Sequence, residues 1–277
     1  MSAVNVIVQR DRACIVSDGA KYDAAGILKA IGPKCVSLPH LPALIASRGA
    51  CEALPILQYH ATWRFPTFDH LIAGIEVTVA EIMETYDFDS GISPEQQFTF
   101  VGWSEARGRF AAFGMVTHDI TDGVRQFAED TGGNVAAVLA AVPEPMKLIE
   151  FGDDMCAPVL PDDVAEAIFS GCATIDDVDP AVDGLKILEA QRQLKVSGRP
   201  GWPAAHHVGG FALLSTVTRD GVTERIIHRW NEDRIGEPIR PAAPFKPAIA
   251  PARDPLAGMS RLQRDILRRK QRKAARR

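Results

Sequence analysis

The sequence predicts an α+β fold, with two antiparallel sheets flanked by helices. Val4, Val6 and Val8 alternate with Ala3, Asn5 and Ile7, and a run Ala13-Cys14-Ile15-Val16 returns after the polar turn Gln9-Arg10-Asp11-Arg12, which is the pattern of a hairpin rich in β-branched residues. Two more hairpins follow the same logic: Phe98–Trp103 with Arg109–Phe113, and Val208–Val217 with Glu224–Trp230 around the turn pair Asp220-Gly221. Between the first and second hairpins the period changes. Over Phe68–Tyr86, Leu71, Ile72, Ile75, Val79, Ile82 and Met83 recur at helical spacing and define one apolar face.

Shorter elements fill the gaps. Ser17-Asp18-Gly19 closes the second strand, and Ile31-Gly32-Pro33 precedes Lys34 and a short strand at Cys35-Val36-Ser37-Leu38. A turn at Pro39-His40-Leu41-Pro42 leads to the buried-looking run Ala43–Ala46, which ends at Ser47-Arg48-Gly49-Ala50. Pro161–Phe169 reads as a helix whose first turn carries Asp162 and Asp163, where carboxylates suit the helix dipole. Asp153-Asp154 and Asp176-Asp177 read as solvated loops or helix starts.

The chemistry is concentrated at the amino end. Ser2 becomes the first residue if the initiator methionine is removed, and its small side chain suits that removal. A hydroxyl and a free α-amine, of ordinary pKa about 7.7–8.0, then share one residue, and the amine is placed to act as base for its own hydroxyl. Asp18 and Lys34 follow at equal intervals of sixteen residues. A lysine ammonium near Ser2 lowers the energy needed to remove the hydroxyl proton, and an aspartate orients the lysine. An Asp–Lys pair in a first hairpin is also read as a structural ion pair, and both readings stay open.

On these residues the chain resembles proteasome β-subunits and the HslV protease of the Ntn-hydrolase superfamily, closely over 2–115 and more weakly over 180–232. The resemblance implies a four-layer αββα sandwich. It also implies Ser2 as nucleophile, Asp18 and Lys34 as its partners, and a backbone N–H of Arg48 or Gly49 as oxyanion donor. The pair Gly209-Gly210 entering a late strand fits the same pattern. The Ser-Gly-Ser-like turn expected after the central hairpin is absent. Thr117-His118-Asp119-Ile120-Thr121-Asp122 stands there instead. The stretch 117–179 reads as an unfamiliar insert within a domain spanning 1–233.

Charge divides the chain. Overall it carries −4, yet from Asp254 onward nine Lys or Arg stand against Asp254 and Asp265, so this tail is +7 and the remainder −11. Pro238, Pro241, Pro244, Pro247, Pro251 and Pro255 punctuate a linker over 234–255 that favours extended polyproline II. Beyond it, 256–277 is a basic arm in which Leu256, Met259, Leu262, Ile266 and Leu267 recur at helical spacing. Such a helix is weak alone and is expected to dock on a protein partner; nucleic acid is the second choice, since the arm has no aromatic residue to stack on bases.

No run approaches the roughly 18 apolar residues of a membrane span, and the amino end lacks the pattern of a secretory signal. Five scattered cysteines without a C-x-x-C pair suit reduced thiols in a cytoplasmic protein or an assembled particle. Adjacent histidines on a strand face opposite ways, so His206-His207 suits a loop or strand entry better than a metal. No phosphate-binding glycine loop occurs, and neither a cofactor nor a metal is expected. Two functions follow: an Ntn hydrolase of amide or peptide bonds, or a silent proteasome-fold subunit that builds a homo-oligomer or a larger, virion-like particle.

Overall fold

A computed structural model describes residues 2–38, 40–85, 95–131, 135–140, 142–197 and 201–242. The chain opens with β1 (Val4–Val8) and β2 (Ala13–Asp18), paired antiparallel from Val4–Ser17 to Val8–Ala13. Every residue of both strands is buried. Side chains alternate across a strand, so both faces need cover: Val4, Val6, Val8, Ala13 and Ile15 enter one core cluster, and Ile7, Cys14 and Val16 another. Gln9 departs from the polar turn expected of it. It is buried, and its Nε2 donates to the carbonyls of Ile175 and Val178, both at 2.9 Å, because a later loop presents acceptors that must be satisfied away from water.

β3 (Ala20–Tyr22) and β4 (Leu28–Ile31) form a small ribbon. β5 (Cys35–Ser37) and β6 (Ala43–Arg48) begin the second sheet, and α1 (Ala53–Arg64) and α2 (Phe68–Thr85) follow. Thr67 starts α2, its Oγ1 accepting the His70 N–H at 3.2 Å. β7 (Gln97–Ser104) and β8 (Arg109–Val116) form the central hairpin, whose turn is tied to α2 by Asp69: Oδ1 accepts Ser104 Oγ at 2.6 Å and Oδ2 the Ala106 N–H at 3.0 Å.

The stretch 117–179 is woven into both sheets. It contains α3 (Thr121–Thr131), α4 (Val135–Ala140), β9 (Ile149–Glu150), β10 (Asp154–Ala157), α5 (Asp162–Phe169) and a 3₁₀ turn at Ile175–Asp177. β9 pairs with β8 and β10 with β1, so one short stretch gives each sheet an edge. Phe151 lies between them; its N–H donates to the Ala112 carbonyl at 2.8 Å, and its ring occupies the space that a Cβ at Gly114 would need. After α6 (Val182–Gln193), β11 (Val196–Ser197) and β12 (Ala204–Ala205) form a second ribbon, and β13 (Phe211–Thr218) and β14 (Gly221–Arg229) form the last hairpin.

The two large sheets are antiparallel throughout, in the orders β10-β1-β2-β13-β14 and β5-β6-β7-β8-β9. One core cluster joins them face to face: Val4, Val6, Ile15 and Val217 of the first meet Leu44, Ala46, Val101 and Phe110 of the second. A second seats Leu57 of α1 and Leu71 and Ile75 of α2 on Ile45, Phe100 and Phe113. A third joins Leu188 of α6 to Ile7, Val16 and Leu214. α6 is also keyed by a reciprocal amide pair, Asn5 Nδ2 to Gln191 Oε1 at 2.9 Å and Gln191 Nε2 to Asn5 Oδ1 at 2.8 Å. Among the described residues no helix is long and apolar enough to cross a membrane.

The end of the domain is fastened by a buried ion pair. Arg192 grips Asp233 with two bonds of 2.7 and 2.8 Å and donates to the Val208 carbonyl at 2.8 Å, while the Gly210 N–H donates to Asp233 Oδ2 at 2.6 Å. The linker expected from residue 234 does not leave the body at once. The Leu28 N–H bonds the Glu237 carbonyl at 2.9 Å, and Ile239 is buried against Ala20 and Leu28, because β4 offers an open backbone edge and an apolar pocket together. The expected basic arm, 256–277, lies outside the described residues.

Gly209 is squeezed between these features: a Cβ there would lie 2.3 Å from Asp233 Oδ2 and 2.7 Å from an Arg192 guanidinium nitrogen. Gly209→Ala is therefore expected to destabilise the domain by about 1–3 kcal/mol or more. Gly123→Ala, in α3 with open space around it, is expected to be neutral or stabilising by up to about 1 kcal/mol. Urea unfolding of the two variants checks the contrast, and equal stabilities refute it.

Candidate functional site

β2 ends on Asp18, whose carboxylate is wholly buried. Four donors surround it. Oδ1 accepts the Ala3 N–H at 2.8 Å and the Lys34 ammonium at 2.6 Å; Oδ2 accepts the Ala20 N–H at 3.0 Å and the Gly209 N–H at 3.1 Å. A buried carboxylate is tolerated when it is both paired and hydrogen-bonded, and two oxygens offer about four acceptor positions. All four are used.

Lys34 is 6% exposed. Burial pushes its ammonium pKa down, Asp18 opposes that shift by charge and by hydrogen bond, and the Arg48 charge adds to the depression. The Lys34 carbonyl accepts the Ser47 N–H at 3.0 Å, which sets the end of β6 beside it. Arg48 is partly buried. Its guanidinium donates to Gln97 Oε1 at 2.7 Å, and its Nε has no partner among the described residues. Burial lowers the Arg48 pKa, against the opposing pulls of Tyr22 and Asp18. Gly49 has φ 136°, and a Cβ there would lie 2.3 Å from the Glu95 carbonyl, so the turn admits only glycine.

Ser2 is partly buried and stands immediately before β1. The N–H of the next residue shares Asp18 Oδ1 with Lys34 Nζ, so one oxygen gathers the amino end and the lysine. The structure thus brings Ser2, Asp18, Lys34 and the Arg48-Gly49 turn into one neighbourhood. Thr117–Asp122 instead serves as the entry to α3: the Thr117 N–H bonds the Gln96 carbonyl at 3.0 Å, and Asp119 Oδ1 accepts the Thr121 N–H at 2.8 Å.

Sequence reasoning did not place Tyr22, Gln96 or His207 at this site. Gln96 is wholly buried beside Gly49, and neither atom of its amide has a partner among the described residues. His207 is buried two positions before Gly209, and its ring lies 4.4 Å from that of Tyr22. Its neighbour His206 turns to the Arg192 carbonyl, with Nδ1 at 3.0 Å, so the two imidazoles have separate partners. The nearby Gly209-Gly210 pair was a visible signal, because it marks where the chain passes close to another backbone. Among the described residues no group of three or more His, Cys, Asp or Glu side chains is placed to hold a metal.

No family model matches the chain, and no curated protein matches it. Among solved structures, a mutant of Anbu from Hyphomicrobium sp. strain MC1 is similar, with a TM-score of 0.53 and 14% sequence identity, over 99% of this chain and 100% of that one. Anbu is proteasome-like, and a likeness at this identity speaks to the fold alone: the chain has a distant proteasome-like fold.

The four bonds on Asp18 order two substitutions. Asp18→Ala orphans three backbone N–H groups and a buried ammonium, whereas Lys34→Met leaves Asp18 with three of its donors. Both are expected to destabilise the fold, Lys34→Met by about 3–5 kcal/mol and Asp18→Ala by more. Thermal unfolding at matched pH checks the order, and a less stable Lys34→Met reverses the argument.

Proposed function

We propose that the chain is an Ntn hydrolase of amide or peptide bonds, built on a four-layer αββα sandwich. The observation that carries this is the single Asp18 oxygen that accepts both the Ala3 N–H and the Lys34 ammonium. It supports Ser2 as the nucleophile, next to a lysine whose positive charge favours an oxyanion. Removal of Met1 exposes the Ser2 α-amine. The Ser2 Oγ proton passes to that amine as the Oγ–carbon bond forms, and the carbonyl oxygen takes the negative charge against a backbone N–H of Arg48 or Gly49. The C–N bond then breaks as the amine returns the proton to the leaving nitrogen, and water removes the acyl group by the same steps in reverse. Lys34 favours loss of the hydroxyl proton, Asp18 orients Lys34, and the route uses no metal or organic cofactor. The five free cysteines suit a cytoplasmic setting.

A chain with a Ser2 amine, verified by intact mass, is expected to be acylated at Ser2 by a β-lactone probe. Ser2→Ala is expected to remain folded and lose the labelling and any amidase activity. Undiminished activity in folded Ser2→Ala removes this proposal.

A second reading is favoured by one observation. Tyr59 and Trp63, a pair four residues apart on α1, are 64% and 77% exposed, which is unusual for aromatic side chains outside an interface. They suit a body that assembles with other subunits, with the basic arm 256–277 docking on a protein. Proteasome-like relatives form oligomers, and assembly fits the hydrolase and the silent subunit alike. Trp63→Glu is then expected to reduce the oligomer's mass by light scattering; an unchanged mass argues against α1 as the contact.

A further inference from the structure

His207 is a buried base that the proposed chemistry leaves idle. It is 3% exposed, and Gly209, two residues on, bonds Asp18. Its Nε2 lies 3.0 Å from the Val196 carbonyl. A carbonyl only accepts, so Nε2 carries the proton and Nδ1 holds the lone pair. Nδ1 is buried and has no partner among the described residues. Tyr22 lies against the ring and fixes its plane. Burial first, with the nearby Lys34 ammonium adding to it, holds the imidazole pKa down at about 3, despite the opposing bond to Val196, so the ring is neutral. A buried neutral acceptor without a donor is matched by an N–H brought to it.

Two chain segments converge on Asp18. Ser2-Ala3 arrives at Oδ1, and the segment from His207 to Gly209 arrives at Oδ2. We infer that His207 is a positioning residue for the amino-terminal nucleophile, its Nδ1 accepting a hydrogen bond from the α-amine of Ser2. The inference rests on the Ser2 reading above. An α-amine turns freely about its Cα–N bond, and only one rotation aims the lone pair at Oγ. A fixed acceptor holds one N–H elsewhere and selects that rotation. His207 neither gains nor loses a proton in the step.

The test uses the 2–277 chain with a free Ser2 amine, ¹⁵N-labelled at Ser2 and histidine. In the unsubstituted chain the His207 Nδ1 resonance is expected to move when the amine is titrated or carbamylated. In His207→Leu the amine pKa is expected to fall by about one unit, since the ammonium loses its acceptor, and β-lactone acylation of Ser2 to slow by about tenfold or more. His207→Gln, whose side-chain oxygen can accept, is expected to recover most of that rate. An Nδ1 resonance indifferent to the amine overturns the inference and needs no variant to fold; so does an unchanged amine titration in folded His207→Leu. If Nδ1 follows the amine while Ser2 stays inert to the probe, the contact stands and the hydrolase reading falls. If Ser2 reacts and Nδ1 is indifferent, the hydrolase reading stands and His207 is structural.

Discussion

The Asp18 carboxylate is the point on which the rest of this molecule turns. A negative charge at the end of a buried strand is tolerable only while all its acceptor positions are filled. Its four donors come from widely separated parts of the chain: the residue before β1, the residue opening β3, a lysine ahead of β5, and the glycine ahead of β13. Satisfying one carboxylate therefore fixes the mutual position of the amino end, the first ribbon, the second sheet and the last hairpin. Organisation of the site and folding of the domain are the same physical event here.

Gly209 extends this constraint to a second buried charge. Its N–H serves Asp18, its carbonyl accepts the Gly19 N–H at 3.0 Å, and its α-carbon passes against the Arg192–Asp233 pair. Two ion pairs are thus linked by one residue without a side chain. Each pair is expensive to bury alone, and the shared backbone lets one close approach serve both. The amino-terminal neighbourhood is consequently tied to α6 and to the segment after β14, far away in sequence.

Legibility followed the range of the interaction. The hairpins and α2 were readable because periods of two and 3.6 are local properties. Asp18 and Lys34 were singled out through the resemblance of their strand context to a known family, and the structure pairs them at 2.6 Å. α1 was not: Ala53, Leu54, Leu57 and Ala61 bury a face of small and aliphatic residues, while Pro55, Tyr59 and Trp63 obscure the period. β9 and β10 are too short to show alternation. Gln9 was read into a polar turn, and the burial of His207 within its loop ahead of β13 was not foreseen, because nothing local reveals the carbonyls of residues 175, 178 and 196 that they meet. Long-range polar satisfaction is decided by the folded whole.

The short crossing from β9 to β10 has a mechanical meaning. Packed sheets lie about 10 Å apart, and the four Cα steps from Glu150 to Asp154 reach at most about 14 Å. The crossing is short, and it is fastened at both ends, by the Phe151 N–H to Ala112 and by the Val8 N–H to the Asp153 carbonyl at 2.7 Å. A strap of that length limits how far one sheet can slide over or rotate against the other before an edge strand must peel away. The strap thereby stiffens the sandwich along the edge where β9 and β10 lie.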